Sequence, residues 1–217
     1  MNEQAKGQFV AGAKELGVSL TASELGKLYT FAAELKKWNR KINLTAIKND
    51  EEIVVKHFLD SLTLLKAVGL KGELLDIGSG GGFPAIPLAI TRHAFQVVSV
   101  DAVEKKVIFQ RHIARQLALH NFDAIHARAE ELAVRHAGRF DWVVSRAFSD
   151  ILSFVRLALP LIKADGKIIA MKGKGGRGEA DSAGPALKEM GVEVCPIIEL
   201  RLPVSSDFRS LVIMKRA

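Results

Sequence analysis

Through the first 70 positions, apolar residues recur at helical spacing. Phe9, Val10, Ala13 and Leu16 fall on one face of a helix over residues 2–17. Thr21-Ala22-Ser23-Glu24 has the form of a capping box, in which each side chain accepts the other residue's backbone N–H. Behind it, Leu25, Leu28, Tyr29, Ala32, Leu35 and Trp38 mark one face of a second helix. Residues 39–45 form a polar break that carries Arg40 and Lys41. Asn49 or Asp50 is placed to cap a third helix. Its apolar residues are Ile53, Val54, Phe58, Leu62 and Leu65, and Gly69 marks its end. From Gly72 the rhythm changes to short apolar runs alternating with helices. The strands predicted are 73–77, 95–100, 124–127, 142–145, 167–171, 193–198 and 211–215. Helices are predicted to start near Pro84, Val103, Ser149 and Glu179. This alternation predicts an α/β unit at 71–217 built on a mainly parallel, seven-stranded sheet. No linker composition separates it from residues 1–70, which are expected to form a helical cap packed on it.

The first strand runs into Asp76-Ile77-Gly78-Ser79-Gly80-Gly81-Gly82-Phe83-Pro84. An apolar run, alternate glycines and a proline read as strand, tight turn and helix start. Such a turn lets a small molecule lie against the backbone. The dinucleotide fingerprint G-x-G-x-x-G fails here, because its third glycine falls on Phe83. A triphosphate loop fails too, since no Gly-Lys-Ser/Thr follows. The spacing present is D-x-G-x-G-x-G. It resembles motif I of the class I S-adenosylmethionine-dependent methyltransferases, a Rossmann-like class.

Other strand ends add candidates. Asp101 closes the second strand about 20 residues beyond the turn, where a carboxylate accepts hydrogen bonds from ribose hydroxyls. The same residue can cap the helix after it, and the two roles coexist. Ala129 and Glu130 follow the third strand, beside the adenine position of the methyltransferase sheet. The fourth strand exits through Ser145-Arg146-Ala147-Phe148. Many nucleic-acid amino-methyltransferases have Asn/Asp-Pro-Pro-Tyr/Phe at this exit, so an exocyclic amine is disfavoured as the target. Arg146 can hold the cofactor carboxylate, a phosphate or acceptor atoms of guanine. His57 and Asp60 stand one helical turn apart and can pair, fixing the cap against the glycine loop. Cys195 lies far from the fourth-strand exit and is read as a buried structural thiol, not the nucleophile of a cytosine C5 reaction.

Composition narrows the partners. Thirty-one Lys and Arg against 24 Asp and Glu leave a net charge of +7, which suits a phosphate-rich partner. Cations gather at Lys105, Lys106, Arg111 and Arg115, after Asp101, and at Lys172, Lys174 and Arg177, in a glycine-rich stretch expected to be a mobile loop. Both are candidates for RNA contact. One cysteine excludes a disulfide framework and fits a cytoplasmic setting. No apolar run is long enough to span a membrane, and the start lacks the order of a signal peptide. The histidines show no metal-ligand spacing, so no metal is expected.

Taken in order, Asn43-Leu44-Thr45, His57-x-x-Asp60-Ser61-Leu62, the 76–84 block, Glu104-Lys105-Lys106, Arg128-Ala129-Glu130-Glu131, Ser145-Arg146-Ala147-Phe148 and Lys172-Gly173 resemble the RsmG (GidB) family of small-subunit ribosomal RNA methyltransferases. The resemblance runs along essentially the whole chain. It departs at Ala85, where the family often has Gly, and at Asp101, where Glu is common. It implies methyl transfer from S-adenosylmethionine to N7 of a guanine of 16S rRNA, conventionally position 527. It further implies cofactor contacts from Gly78, Phe83, Ala129, Glu130 and Arg146; Gly80 and Asp101 join them on the loop and ribose arguments above. Guanine N7 carries a lone pair and no proton, so no catalytic acid, base or nucleophile is expected. The partner is then 16S rRNA or a small-subunit particle, and the enzyme is expected to be a monomer. A methyltransferase for another RNA or a small molecule, and a non-catalytic RNA-binding scaffold, are the competing readings.

Overall fold

A computed structural model describes residues 1–146 and 148–217. The chain opens with α1 (Glu3–Glu15) and α2 (Ala22–Asn39). The capping box forms as predicted: Thr21 Oγ1 accepts from Glu24 N, and Glu24 Oε2 accepts from Thr21 N. Asn49, not Asp50, caps α3 (Asp50–Ile53), its Oδ1 accepting from Glu52 N at 2.7 Å. The helix then widens into a π-helical turn at Val54–Leu59, a distortion frequent at functional sites, before α4 (Asp60–Leu62) and a 3₁₀ turn at Thr63–Lys66. The last turn ends at Lys66, and Gly69 does not take up a positive φ. Gly69 instead leaves room for the Trp142 ring, 3.1 Å from where its Cβ would stand.

The strands and helices that follow are β1 (Gly72–Ile77), α5 (Ala85–Thr91), β2 (Phe95–Asp101), α6 (Glu104–Gln116), β3 (Phe122–His126), α7 (Ala133–His136), β4 (Phe140–Ser145), α8 (Ile151–Ala158), β5 (Ile162–Lys172), α9 (Gly176–Glu189), β6 (Val192–Val194), β7 (Ile198–Arg201) and β8 (Phe208–Arg216). The sheet order is β3-β2-β1-β4-β5-β8-β6, with β7 also on β8. The first five strands are parallel, and β8 runs antiparallel to β5. Seven strands were expected and eight form among the described residues, because the strand predicted at 193–198 is two segments. Both pair with β8. Cys195 N still reaches Ile213 O at 2.8 Å, but Pro196 has no N–H to continue the ladder. The glycine-rich stretch is also mostly not a loop. Gly176–Gly178 is the first turn of α9, so only residues 173–175 link it to β5.

Alternating side chains put each strand to work on both faces. Leu74, Val97, Val144 and Ile169 share one core with the N-terminal helices, α5 and α6. Leu75, Val98, Val143 and Ile168 share a second with α8 and α9. The N-terminal helices therefore have no core of their own; Phe9, Phe31 and Phe58 are buried in the same cluster as the sheet. Of the predicted face of α1, Phe9, Ala13 and Leu16 are buried and Val10 is exposed.

Phe31 is the hinge of that shared core. Its ring lies 5.0 Å from Phe83 of the glycine loop, 5.9 Å from Phe58 and 6.2 Å from Phe109. Phe31→Ala is expected to cost about 3–5 kcal/mol, read as a shifted urea midpoint. Unfolding should remain one transition for the N-terminal helices and the sheet alike.

Candidate active site

Parallel strands end on one side of the sheet, and β1 sits between β2 and β4, where the direction of chain progression reverses. Ligands of open α/β sheets bind at this switch point. In register, Ile77 of β1 lies beside Val100 of β2, and Asp101 beside His126 of β3. Ser145 closes β4 and donates from Oγ to Ile77 O at 2.7 Å. The topology thus brings Gly78, Gly80, Asp101, Ala129, Glu130 and Arg146 to one edge.

The glycine turn is built as its spacing suggests. Gly78, Gly80 and Gly82 have φ of 75°, 58° and 91°, the left-handed region where a side chain is costly. A Cβ on Gly80 would meet no heavy atom within 4 Å, whereas one on Gly82 would run into Ile86. Gly80 therefore faces open space, and Gly82 faces packed helix. Asp101 holds the turn: its Oδ2 accepts from Gly80 N at 2.9 Å, and its Oδ1 from Val103 N at 2.8 Å. Each oxygen keeps a further lone pair, so ribose hydroxyls can still be accepted. Behind the turn lies a buried polar network absent from the sequence reading. Gln110 donates to Ser79 Oγ and Gly80 O, at 2.8 and 2.9 Å, and its Oε1 accepts from Ser99 Oγ. Asp76 is fully buried. Its Oδ2 accepts from Ala85 N at 3.2 Å, and its Oδ1 has no partner among the described residues. Burial pushes its carboxyl well above the usual carboxylate range, against the pull of the Ala85 N–H and Arg146.

Phe83 does not offer its ring to this open side. The residue is 3 % exposed, its ring stacked on His57 at 4.2 Å and 12° and on Phe31 on the cap side. Ala129 and Glu130 sit in a 3₁₀ turn after β3, Ala129 partly buried and Glu130 exposed.

His57 and Asp60 do not pair with each other as expected; both pair with Arg146. Its guanidinium donates to Lys56 O at 2.8 Å, Asp60 Oδ2 at 3.2 Å and His57 Nδ1 at 3.3 Å, and lies 5.7 Å from the Phe83 ring centre. Guanidinium only donates, so Nδ1 accepts and the imidazole proton sits on Nε2, facing Thr45 Oγ1 at 2.9 Å. Burial first, and then the Arg146 charge, lower the His57 pKa to about 3, so the ring is neutral. The other Asp60 oxygen takes Arg209 Nε at 2.8 Å. These groups, with Ile47, Met171, Lys172 and Gly173, line a cavity of about 400 Å³. No local pattern marked Arg209, which meets Asp60 across 149 positions. Thr45 lay within a noticed motif, but its partner became visible only in the fold. Ala147 of the exit motif lies outside the described residues.

The two basic stretches do not converge. Residues of α6 follow β2, and the 172–177 stretch follows β5, on opposite flanks of β1. Arg111 donates to Ala124 O, and Lys106 lies 3.9 Å from Asp101, while Lys105 and Arg115 are exposed. Lys172 is spent on Phe148 O, Ser149 O and Glu179, and Arg177 on Glu199. Lys174 is exposed. Cys195 is half-buried, not fully buried as expected, at the link between β6 and β7. Among the described residues, no group of His, Cys, Asp and Glu is placed to hold a metal, and no helix is long and apolar enough to cross a membrane.

This sheet, with its glycine turn and acid at the neighbouring strand end, is the fold of the S-adenosylmethionine-dependent methyltransferases. A methyltransferase of that kind from Aquifex aeolicus matches with a TM-score of 0.60 at 16% identity, over 84% of this chain and 97% of that one. A 16S rRNA (adenine(1408)-N(1))-methyltransferase from Catenulisporales acidiphilia matches with a TM-score of 0.56 at 15% identity, over 67% and 85%. Likeness at these identities speaks for the fold alone. The family model described as rRNA small subunit methyltransferase G matches residues 24–201. The ribosomal RNA small subunit methyltransferase G of Geotalea uraniireducens is 63% identical over 216 residues, covering 100% of this chain and 99% of that one. Its counterpart in Thermoanaerobacter sp. is 34% identical over 220 residues, covering 100% and 92%. The chain belongs to the rRNA small subunit methyltransferase G family, whose methyl donor is S-adenosylmethionine.

Two predictions follow from the geometry. Gly80→Ala should fold with a loss of about 1–2 kcal/mol for its left-handed φ and bind S-adenosylmethionine about ten-fold or more weakly, a change of about 1.4 kcal/mol per decade. Gly82→Ala should lose more stability, through Ile86. Calorimetry and urea unfolding on both variants separate the effects. For His57, the folded pKa lies below the ordinary 6.5. The unfolded chain therefore binds the extra proton, and stability is full above pH 6.5 and falls as pH drops toward 3. This contribution should be lower by about 1.4 kcal/mol at pH 5.5. His57→Gln should flatten the pH 7-to-5 slope of the unfolding midpoint.

Proposed function

We propose that the protein transfers the methyl group of S-adenosylmethionine to N7 of guanine 527 of 16S rRNA by direct in-line displacement, with no general base. The observation that carries this reading is the state of the cavity beside the glycine turn. Both oxygens of Asp60 are tied to arginines, and both ring nitrogens of His57 are committed. Neither is free to take a proton from a substrate, and guanine N7 has none to give. The bound cofactor supplies an electrophilic methyl on a cationic sulfur. The chain's part is placement, which by itself accounts for large rate gains. Asp101 holds the ribose, the backbone at Gly78 and Gly80 packs on the methionine end, and Ala129 and Glu130 lie beside the base. Phe83 lies alongside, and Arg146 marks the boundary with the acceptor. Family membership and the net charge of +7 support an RNA substrate.

We take residues 1–70 as a cap on the catalytic unit at 71–217, acting as a monomer in the cytoplasm on 16S rRNA or a small-subunit particle. The test is labelled methyl transfer to 16S rRNA from cells lacking the modification, with the modified atom mapped. Label on N7 of guanine 527, with a turnover rate flat from pH 6.5 to 9, is the expected result. Label on an exocyclic amine or a ring carbon, or a rate that climbs with one deprotonation, overturns the mechanism.

A further inference from the structure

The cap carries an open groove of about 850 Å³ that the glycine turn and the sheet do not explain. Leu35, Leu44 and Ile47 give it an apolar lining, and Arg40, Asn43 and Lys48 give it a polar rim. It leads to the acceptor cavity. Ile47 lines both spaces. Thr45, in the groove wall, bonds to His57 in the cavity. Leu35 lies 3.3 Å from where a Cβ on Gly81 would stand, so the groove backs onto the glycine turn. The loop that shapes it is held rigid: Asn39 accepts from Leu44 N and Thr45 N and donates to Thr45 O.

The charge of this groove is unspent. Lys36 is tied to Asp50, but Arg40 and Lys48 are exposed, and their side chains form no ion pair or hydrogen bond among the described residues. No acidic residue lines the groove. By contrast, Lys172 and Arg177, expected from sequence to grip RNA, are neutralised by Glu179 and Glu199. A guanine reaches the cavity only after leaving its stack, and its flanking strand then runs over the surface next to that cavity.

We propose that the 36–48 groove holds the unpaired RNA strand flanking the target guanine, with Arg40 and Lys48 on its phosphates, so that the base turns inward past Ile47 to Arg146. This rests on the rRNA methyltransferase reading above and places the RNA on the cap side of the sheet. No aromatic residue lines the groove, so it offers no stacking platform. Binding there is electrostatic and tolerant of sequence, and the cavity selects the base.

The test is the double variant Arg40→Gln, Lys48→Gln in the full chain, with a 16S rRNA fragment spanning the target as probe. Affinity is expected to fall about ten-fold at 0.1 M salt. The slope of log K against log salt should become shallower by about 1.4, at about 0.7 per single-strand phosphate contact. S-adenosylmethionine affinity should not change. Arg40→Lys with Lys48→Arg should restore the slope. Arg156→Gln with Lys188→Gln, on α8 and α9 across the sheet, should leave it as in the parent. A parent that methylates 16S rRNA, beside a groove variant with an unchanged slope, overturns the groove alone. An equal loss from the Arg156 and Lys188 pair also overturns it. A parent that fails to methylate 16S rRNA overturns the underlying reading and the groove with it.

Discussion

The structure depends on the burial of one aromatic ring. Phe83 ends the glycine turn, and its ring is stacked between His57 and Phe31 of the cap. Stacking at this range adds to an already large burial term. The turn is thereby held from above by the cap and from behind by Gln110, Ser79 and Ser99. Three left-handed glycines give the loop no side-chain packing of its own at those positions. Its rigidity is supplied by neighbours, and Gly80 is left facing open space.

The same stack sets the chemistry of the next layer. Pressing His57 against Phe83 removes it from water, and Arg146 beside it opposes a second positive charge. Both effects keep the imidazole neutral, so the ring acts as an acceptor for Arg146. Asp60 completes the arrangement by bridging Arg146 and Arg209. A buried carboxylate between two guanidinium groups is well satisfied, and removing either arginine would leave one Asp60 oxygen without its donor. The result is a cavity whose polar groups fix one another and hold no spare base. That suits a nucleophile that carries no proton.

Charge tells a different story from the one composition suggests. Excess lysine and arginine pointed to a phosphate-rich partner, but the sign alone does not say which cations are available. Short-range pairs with Glu179, Glu199 and Asp50 use up several. Those that stay open at the cap, Arg40 and Lys48, line a groove that shares Ile47 with the cavity around Arg146.

Much was legible in the chain itself. Helical spacing and the Thr21 capping box located the first helices, and apolar alternation located the strands, because these are local properties of backbone and side chain. The D-x-G-x-G-x-G spacing located the turn for the same reason: left-handed φ is demanded residue by residue. The positions of Asp101 and Arg146 at strand ends were readable from the apolar runs before them. The break at Pro196 and the start of α9 within the glycine-rich stretch were misjudged, since strand and helix ends depend on pairing partners. The burial of the Phe83 ring, the His57 and Asp60 contacts with Arg146, the arrival of Arg209 and the pairing of Lys172 belong to tertiary structure alone. Each depends on distances between residues far apart in the chain. Sequence determined which side chains carry charge and acceptor atoms and which turns need glycine; only packing decided which of those groups are paired and which stay open.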